Sequence, residues 1–361
     1  IWSHYPRETI LAGLLMLATT ASGVLLACGL SLRQLTDALS RALEATLVLS
    51  FLLELYVALV LQHPLIPAYM RDWTEVPPSY IWVEGNIFRG GPIQGIVGNR
   101  NPLAFIALLT LICVAVRWRD NRLRLPNFIV WSALSVLTLF LTGSATVIVA
   151  AVVSLVVMLF LWLLRHVPIA LRTTVIVVAS TLGVALVAVA IGWHSQLTAL
   201  LGRSSDMTGR WEIWMKVLAL WEQHTFLGWG WIMYWVPWIP MFGTLVIRPD
   251  GTPTLSAHNA YIEALFQTGV VGAALIVVLV LTLTFRSFRL AVHYLDSDAS
   301  VLLPALLMTA MVVQSMTESR LLSEGNWVTV CALGTWLGLH EIIEREHNDP
   351  WALEESVSRA R

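Results

Sequence analysis

Nine apolar runs, each close to the 20 or so residues that a helix needs to cross a bilayer, take up most of this chain. They fall at roughly 9–30, 43–62, 100–116, 127–142, 146–164, 173–193, 259–285, 300–317 and 327–344. A chain built this way cannot close on a single core shielded from water. Only 12% of its residues are charged, against about a quarter in soluble domains. The pattern predicts an all-α polytopic membrane protein with about nine transmembrane helices. Residues 1–344 are expected to form one integral domain and 345–361 a cytoplasmic tail, with no internal repeat of fixed period.

Orientation follows from arginine in the short loops, since cytoplasmic loops carry the excess of basic residues. When the spans alternate, Arg33 and Arg41, Arg117 to Arg124, Arg165 and Arg172, and Arg286 and Arg289 all fall on one side. That side is read as the cytoplasm. The opposite side then receives the long segments 63–99 and 194–258 and two tight turns, Thr142 to Ala145 and Glu318 to Asn326. Ile1 falls outside in this scheme, so an odd number of spans is expected upstream of it. The net charge of −1, with arginines in small scattered groups, excludes a nucleic-acid partner, which needs a concentrated basic face. Cys28, Cys113 and Cys331 lie in apolar runs without partners at ligand spacing, so neither a disulfide nor a metal site is expected.

The charged residues of the outer side therefore stand out. "GRSSDMTGRWEIW", Gly202 to Trp214, sets Arg203 and Arg210 beside tryptophan. Asp206 or Thr208 is a reasonable N-cap, and Trp211, Trp214, Leu218 and Trp221 mark an amphipathic helix with Glu212 and Lys216 as an i, i+4 pair. Seven of the seventeen tryptophans lie between 211 and 238, as suits a helix lying in the headgroup zone. Arg210 falls in the first turn, where unpaired backbone N–H groups already favour an anion. Two guanidinium forks at a membrane surface match a phosphate or diphosphate; contact with lipid headgroups alone is the plainer account.

Further along, "SAHNAYIEALFQTGVVGAALI" places His258 and Asn259 at the outer mouth of a long span. A histidine there can exchange a proton with a hydroxyl near neutral pH, although an interfacial histidine bonded to a carbonyl needs no chemistry. Glu263 lies one turn below Asn259 and at that depth must face protein or a water-filled cavity. "FRGGPIQGIVGNRNPLAF" adds Arg89, Arg100, Asn99 and Asn101 among four glycines, either a ligand-cradling or a helix-packing loop. "TESRLLSEGN" adds Glu318 and Arg320, expected as a local ion pair.

"LGRSSDMTGRWEIW", then "FLGWGW", then "HNAYIEALFQTGVVG" together resemble the O-antigen ligase and polysaccharide polymerase superfamily of bacterial membrane glycosyltransferases. "GNRNPLAF" and "SATVIVA" resemble the stretches nearer its N-terminus, so that the resemblance spans about residues 85 to 335. It implies a GT-C type helical fold in the bacterial cytoplasmic membrane with the active site on the outer side. It also implies a polyprenyl-diphosphate-linked glycan donor, a glycan or lipid acceptor, and no metal or other cofactor. By the same resemblance Arg210 and Arg203 hold the donor diphosphate and His258 acts on the acceptor hydroxyl, while Asn259 and Trp214 give support. Arg89, Arg100, Asn101, Glu263, Glu318 and Arg320 are further candidates. One departure is Ala145, between Ser144 and Thr146, where many relatives carry Arg or Lys; Arg203, Arg89 or Arg100 would have to replace that cation. Together with the "TGR…IW" wording, it stands closer to the polymerase-like members.

Two rival readings use the same residues differently. A transporter or flippase of the lipid-linked glycan would bind diphosphate without chemistry at His258. Such folds often show internal repeats and broken helices, neither of which is expected from this sequence. A purely structural scaffold leaves paired cations and a histidine on one side unexplained.

Overall fold

The computed structural model describes residues 2–70, 72, 75–193, 209–236, 238–248 and 250–348. The predicted runs become helices: α1 (Pro6–Gly29), α2 (Leu32–Tyr56), α3 (Arg100–Arg119), α4 (Leu125–Thr142), α5 (Ala145–Leu164) and α6 (Ile169–Gly192). The outer segment contributes α7 (Arg210–Trp221) and the short α8 (Pro240–Thr244), followed by α9 (Ala260–His293), α10 (Leu303–Ser315) and α11 (Glu324–Asn348). Among the described residues there is no strand, only the isolated bridges Leu65 to Val83 and Ile247 to Pro253. The molecule is an all-α polytopic membrane protein.

Among the described residues, seven helices are long and apolar enough to span a bilayer: α1, α2 with its π-helical last turn (Leu32–Leu61), α3 to α6 and α9. They correspond to the first seven predicted runs. The eighth run divides into a 3-10 turn, Ala299–Leu302, and α10, which has only 13 residues. That length suffices because α10 is wrapped by protein: Leu303 to Met311 is buried throughout and packs with Phe105, Leu108 and Val147 in the main core. The ninth run lies in α11, which carries charge at both ends and rests against α1, where the Trp327 indole donates to Thr20 Oγ1 at 2.7 Å.

Helix starts are set by local chemistry. Ser31 and Gln34 form a reciprocal capping box on α2, and Asn99 and Asn259 accept backbone N–H groups at the starts of α3 and α9. The arginine-bearing loops meet at one end of the bundle. There Arg122 reaches Asp37 at 2.7 Å, Arg117 reaches Glu44 at 2.7 Å, Arg172 reaches Asp296 at 3.0 Å, and Arg33 pairs with Asp298.

The opposite end carries a folded lobe made from the outer segment. Ile213 and Val217 of α7 pack with Trp235, Phe242 and Phe266, whose rings lie 5.6 to 6.0 Å apart. The inward face of α7 is thus centred on Ile213 and Val217, with Trp214 half-buried and Trp211 exposed. This corrects the tryptophan face read from the sequence. The lobe takes up the branched aliphatic side chains, and Trp211 with Met215 is left outward. The N-cap also differs from expectation. It is Gly209, at φ +79°, and it offers no side-chain cap; Asp206 and Thr208 lie outside the described residues.

α9 is broken. Gly269 has φ +65° and ψ −171°, a region open essentially to glycine alone. This corrects the expectation that no helix would be broken: nothing in an apolar run tells the φ that one of its glycines will adopt. The segment Thr225 to Gly230 fills the break: Val270 N–H donates to the Thr225 carbonyl at 2.9 Å, while the Phe266 and Gln267 carbonyls accept from Trp229 and Gly230 at 3.1 and 2.9 Å. A Cβ on Gly269 would stand 2.2 Å from the Phe226 carbonyl. Both the dihedral and the contact forbid a side chain there. Gly269→Ala is expected to destabilise the protein by about 2 kcal/mol or more, visible as a lowered thermal unfolding midpoint in detergent; an unchanged midpoint would show that the break carries no such constraint.

Candidate active site

At the lobe end, one carboxylate gathers four parts of the chain. Glu318 lies in the turn between α10 and α11 and is buried. Its Oε1 accepts from the Asn101 amide at 2.8 Å and from Arg210 Nη2 at 3.3 Å; its Oε2 faces His258 Nδ1 at 3.4 Å. Behind Asn101, the Ser144 hydroxyl donates to Asn101 Oδ1 at 2.9 Å. The run Ser144, Asn101, Glu318, then Arg210 and His258, joins the starts of α5, α3, α7 and α9 to one turn.

Each side chain is placed by local structure. Arg210 is the first residue of α7, and its guanidinium reaches the Glu318 carboxylate from that helix start. His258 precedes the α9 cap and has φ +50°, a conformation uncommon outside glycine and enriched for few residues, histidine among them. Asn259 fixes it: its side-chain oxygen caps Tyr261 and Ile262, its amide donates to the Met316 carbonyl at 3.0 Å, and its backbone N–H donates to Ser319 Oγ at 3.2 Å. The start of α9 is thereby tied to the Glu318 turn. On the other flank the Trp214 indole donates to the Ala257 carbonyl at 2.9 Å.

Glu263 stands apart from this cluster. It is buried, and its carboxylate accepts from the Trp235 indole at 2.6 Å, the Ala257 N–H at 2.7 Å and the Gln267 amide at 2.6 Å. Gln267 in turn accepts from the N–H groups of Ile232 and Met233. These bonds pin the lobe to the first turns of α9, so Glu263 faces protein.

Of the other candidates, Arg320 pairs with Glu324 at 3.0 Å, and not with Glu318 as the sequence suggested. The i, i+4 partner lies on the same face, whereas Glu318 turns inward to Arg210 and His258. Arg89 and Arg100 are exposed, without a side-chain hydrogen bond or ion pair among the described residues. Arg100 neighbours Asn101 at the start of α3; Arg89 stays in its own turn. Arg203 lies outside the described residues. Ala145 begins α5 beside Ser144, so α5 brings a methyl group and no charge to this end of the bundle.

Three participants escaped the sequence reading. Ser144, Ser319 and Gln267 are ordinary polar residues, and only the burial of their partners marks them. Glu318 was legible as an acid in a turn between apolar runs, but its partners lie 60, 108 and 217 residues away.

Burial alone would push the Glu318 carboxyl up. The hydrogen bond and charge of His258, then the charge of Arg210 and the Asn101 amide, outweigh that effect and hold it below its ordinary 4.5.

Taken together, the helices and this polar cluster define a multi-pass membrane protein with a charged site at one end of the bundle. Residues 130–277, which include Ala145, Arg203, Arg210 and His258, match the family model described as O-antigen ligase. This match supports the resemblance of these residues to the O-antigen ligase and polysaccharide polymerase superfamily. No curated protein matches it.

The lowered Glu318 value has a consequence for stability. A depressed carboxyl contributes fully above its unfolded value, and the contribution is lost as pH falls through the folded value. Glu318→Gln is expected to cost about 3 kcal/mol near neutral pH, because the half-buried Arg210 loses its ion pair with Glu318. The gap to wild type should narrow as pH falls below 4.5. Unfolding of both proteins in detergent across that range checks this; a gap that is flat with pH contradicts it.

Proposed function

We propose that the protein transfers a glycan from a polyprenyl diphosphate carrier to the hydroxyl of a glycan or lipid acceptor. The reaction is assigned to the membrane face opposite the arginine-bound loops, which the positive-inside rule makes the outer face of a bacterial cytoplasmic membrane. The observation that carries this reading is that Arg210 and His258 meet on the same buried carboxylate, Glu318.

In this reading Nδ1–H of His258 donates to Glu318, which leaves Nε2 as the acceptor for a proton. The acceptor hydroxyl oxygen attacks the anomeric carbon, its bond to the diphosphate oxygen breaks, and the configuration inverts. The bonding pair leaves with polyprenyl diphosphate, while the hydroxyl proton passes to His258 Nε2. Glu318 steadies the imidazolium as it forms, as the buried acid does in other base-and-orienter pairs. Negative charge grows on the leaving diphosphate, so a cation fixed beside it lowers the barrier. Arg210 supplies that charge from a helix start, and the exposed Arg100, next to Asn101, is a further cation; Arg203 is proposed as another from the sequence pattern alone. Asn259 and Trp214 position His258 from its two sides.

A transporter of the same glycolipid would use Arg210 and leave His258 idle, and the break in α9 is the feature it would exploit. The freed backbone groups at that break are taken by Thr225 to Gly230. They are not open to a substrate, and the transfer reading stands as the better one.

The test uses purified protein with a polyprenyl-diphosphate glycan and either a second lipid-linked glycan or a lipid acceptor. His258→Ala should slow product formation by about 10² to 10⁴. Arg210→Ala should lower turnover and weaken donor binding together. Product from His258→Ala at the wild-type rate would remove the base from this site; glycolipid movement across the bilayer without product in wild type would favour the transporter.

A further inference from the structure

The far end of α9 carries a second cluster, roughly 40 Å along the helix from His258 at 1.5 Å per residue. Here α9 and α11 enclose a recess of about 80 Å³ lined by Arg286, Arg289, His293, Tyr294, His340 and Glu341. We propose that this recess binds the phosphate of an anionic phospholipid. The assignment is independent of the transfer reaction at the other end.

Charge is the first argument. Two guanidinium groups face one carboxylate: Arg286 forms a two-pronged pair with Glu341, while Arg289 approaches it only to 3.7 Å and keeps a mostly exposed side chain. The nearby Asp296 is taken by Arg172 at 3.0 Å, with Arg165 at 3.9 Å. It does not offset Arg289. A phosphate entering the recess would meet the open fork of Arg289, a geometry that suits two parallel N–H···O bonds.

The second argument is order. His340 stacks on Trp336 at 4.9 Å and 15°, and Tyr294 meets His340 and His293 edge-on at 5.9 and 4.7 Å. The imidazoles are thus held in place beside the guanidiniums. The third argument selects a lipid over a solute. Val278, Leu281 and Phe285 are exposed on α9 at helical spacing and lead directly to Arg289 on the same face. An acyl chain along that stripe sets its headgroup at the recess, and basic pockets between helices at this membrane face suit anionic headgroups.

Native mass spectrometry of the intact protein from mixed micelles of phosphatidylglycerol and phosphatidylcholine tests this. Wild type should retain phosphatidylglycerol over phosphatidylcholine, and Arg289→Gln should lower that preference about fivefold. Arg289→Gln leaves the Arg286 to Glu341 pair intact, so the fold should persist, as an unchanged unfolding midpoint would verify. Arg124→Gln, an exposed arginine outside the recess, should leave retention unaltered. Equal retention of both lipids, an Arg289→Gln protein that binds as wild type does, or an equal loss in Arg124→Gln would overturn the proposal. Titration with inorganic phosphate alone separates the two sources: saturable binding without any lipid preference would assign the recess to a solute and overturn the lipid assignment.

Discussion

A carboxylate withdrawn from water must be paired, and Glu318 meets that demand by recruiting partners from three separate parts of the chain. Desolvating an ion costs several kcal/mol unless opposite charge and hydrogen bonds replace the lost water. Arg210, His258 and Asn101 supply these, and each comes from the start of a different helix or the residue just before one. The cost of leaving Glu318 alone is therefore what fixes where α3, α7 and α9 begin relative to one another. The same geometry brings an imidazole and a guanidinium to one place, so the pairing that satisfies Glu318 also sets where those two side chains meet.

Below it, Glu263 solves a different problem. The outer lobe contains backbone without regular structure, and such backbone near a bilayer is tolerated only where protein satisfies its polar groups. Glu263 and Gln267 take the N–H groups of Ala257, Ile232 and Met233, and Thr225 to Gly230 fills the break at Gly269. The break has a structural use here. It bends the helix so that its first nine residues belong to the lobe and the remainder crosses the membrane. An unbroken α9 would carry His258 along the direction of the span and away from the turn that holds Glu318.

Apolar period and length made most of the helices legible in the sequence, because lipid imposes one dominant rule on every spanning segment. α10 escapes that rule: it is enclosed by protein, so nothing requires it to reach bilayer length. For the site, His258, Arg210 and Asn259 were legible from residue type and from their positions at helix starts. The partner of Glu318 was not. A neighbouring arginine, Arg320, offered the local pairing, and choosing between it and Arg210 needs the fold, since the two lie at sequence separations of 2 and 108. The break in α9 had its signal in Gly269 and Gly272, yet glycines inside apolar helices also serve close packing, and only the dihedral at Gly269 separates the two uses.

The two ends of the bundle use arginine in opposite ways. At the loop end, Arg117, Arg122 and Arg172 are each matched by an acid, so their charge is largely consumed in tying helices together. At the lobe end, Glu318 sits between one arginine and one histidine and draws both toward a common point. Ala145 brings only a methyl group beside Ser144 at the start of α5, and the guanidinium that meets Glu318 comes from α7. Glu318 is thereby the residue on which the placement of both the guanidinium and the imidazole converges.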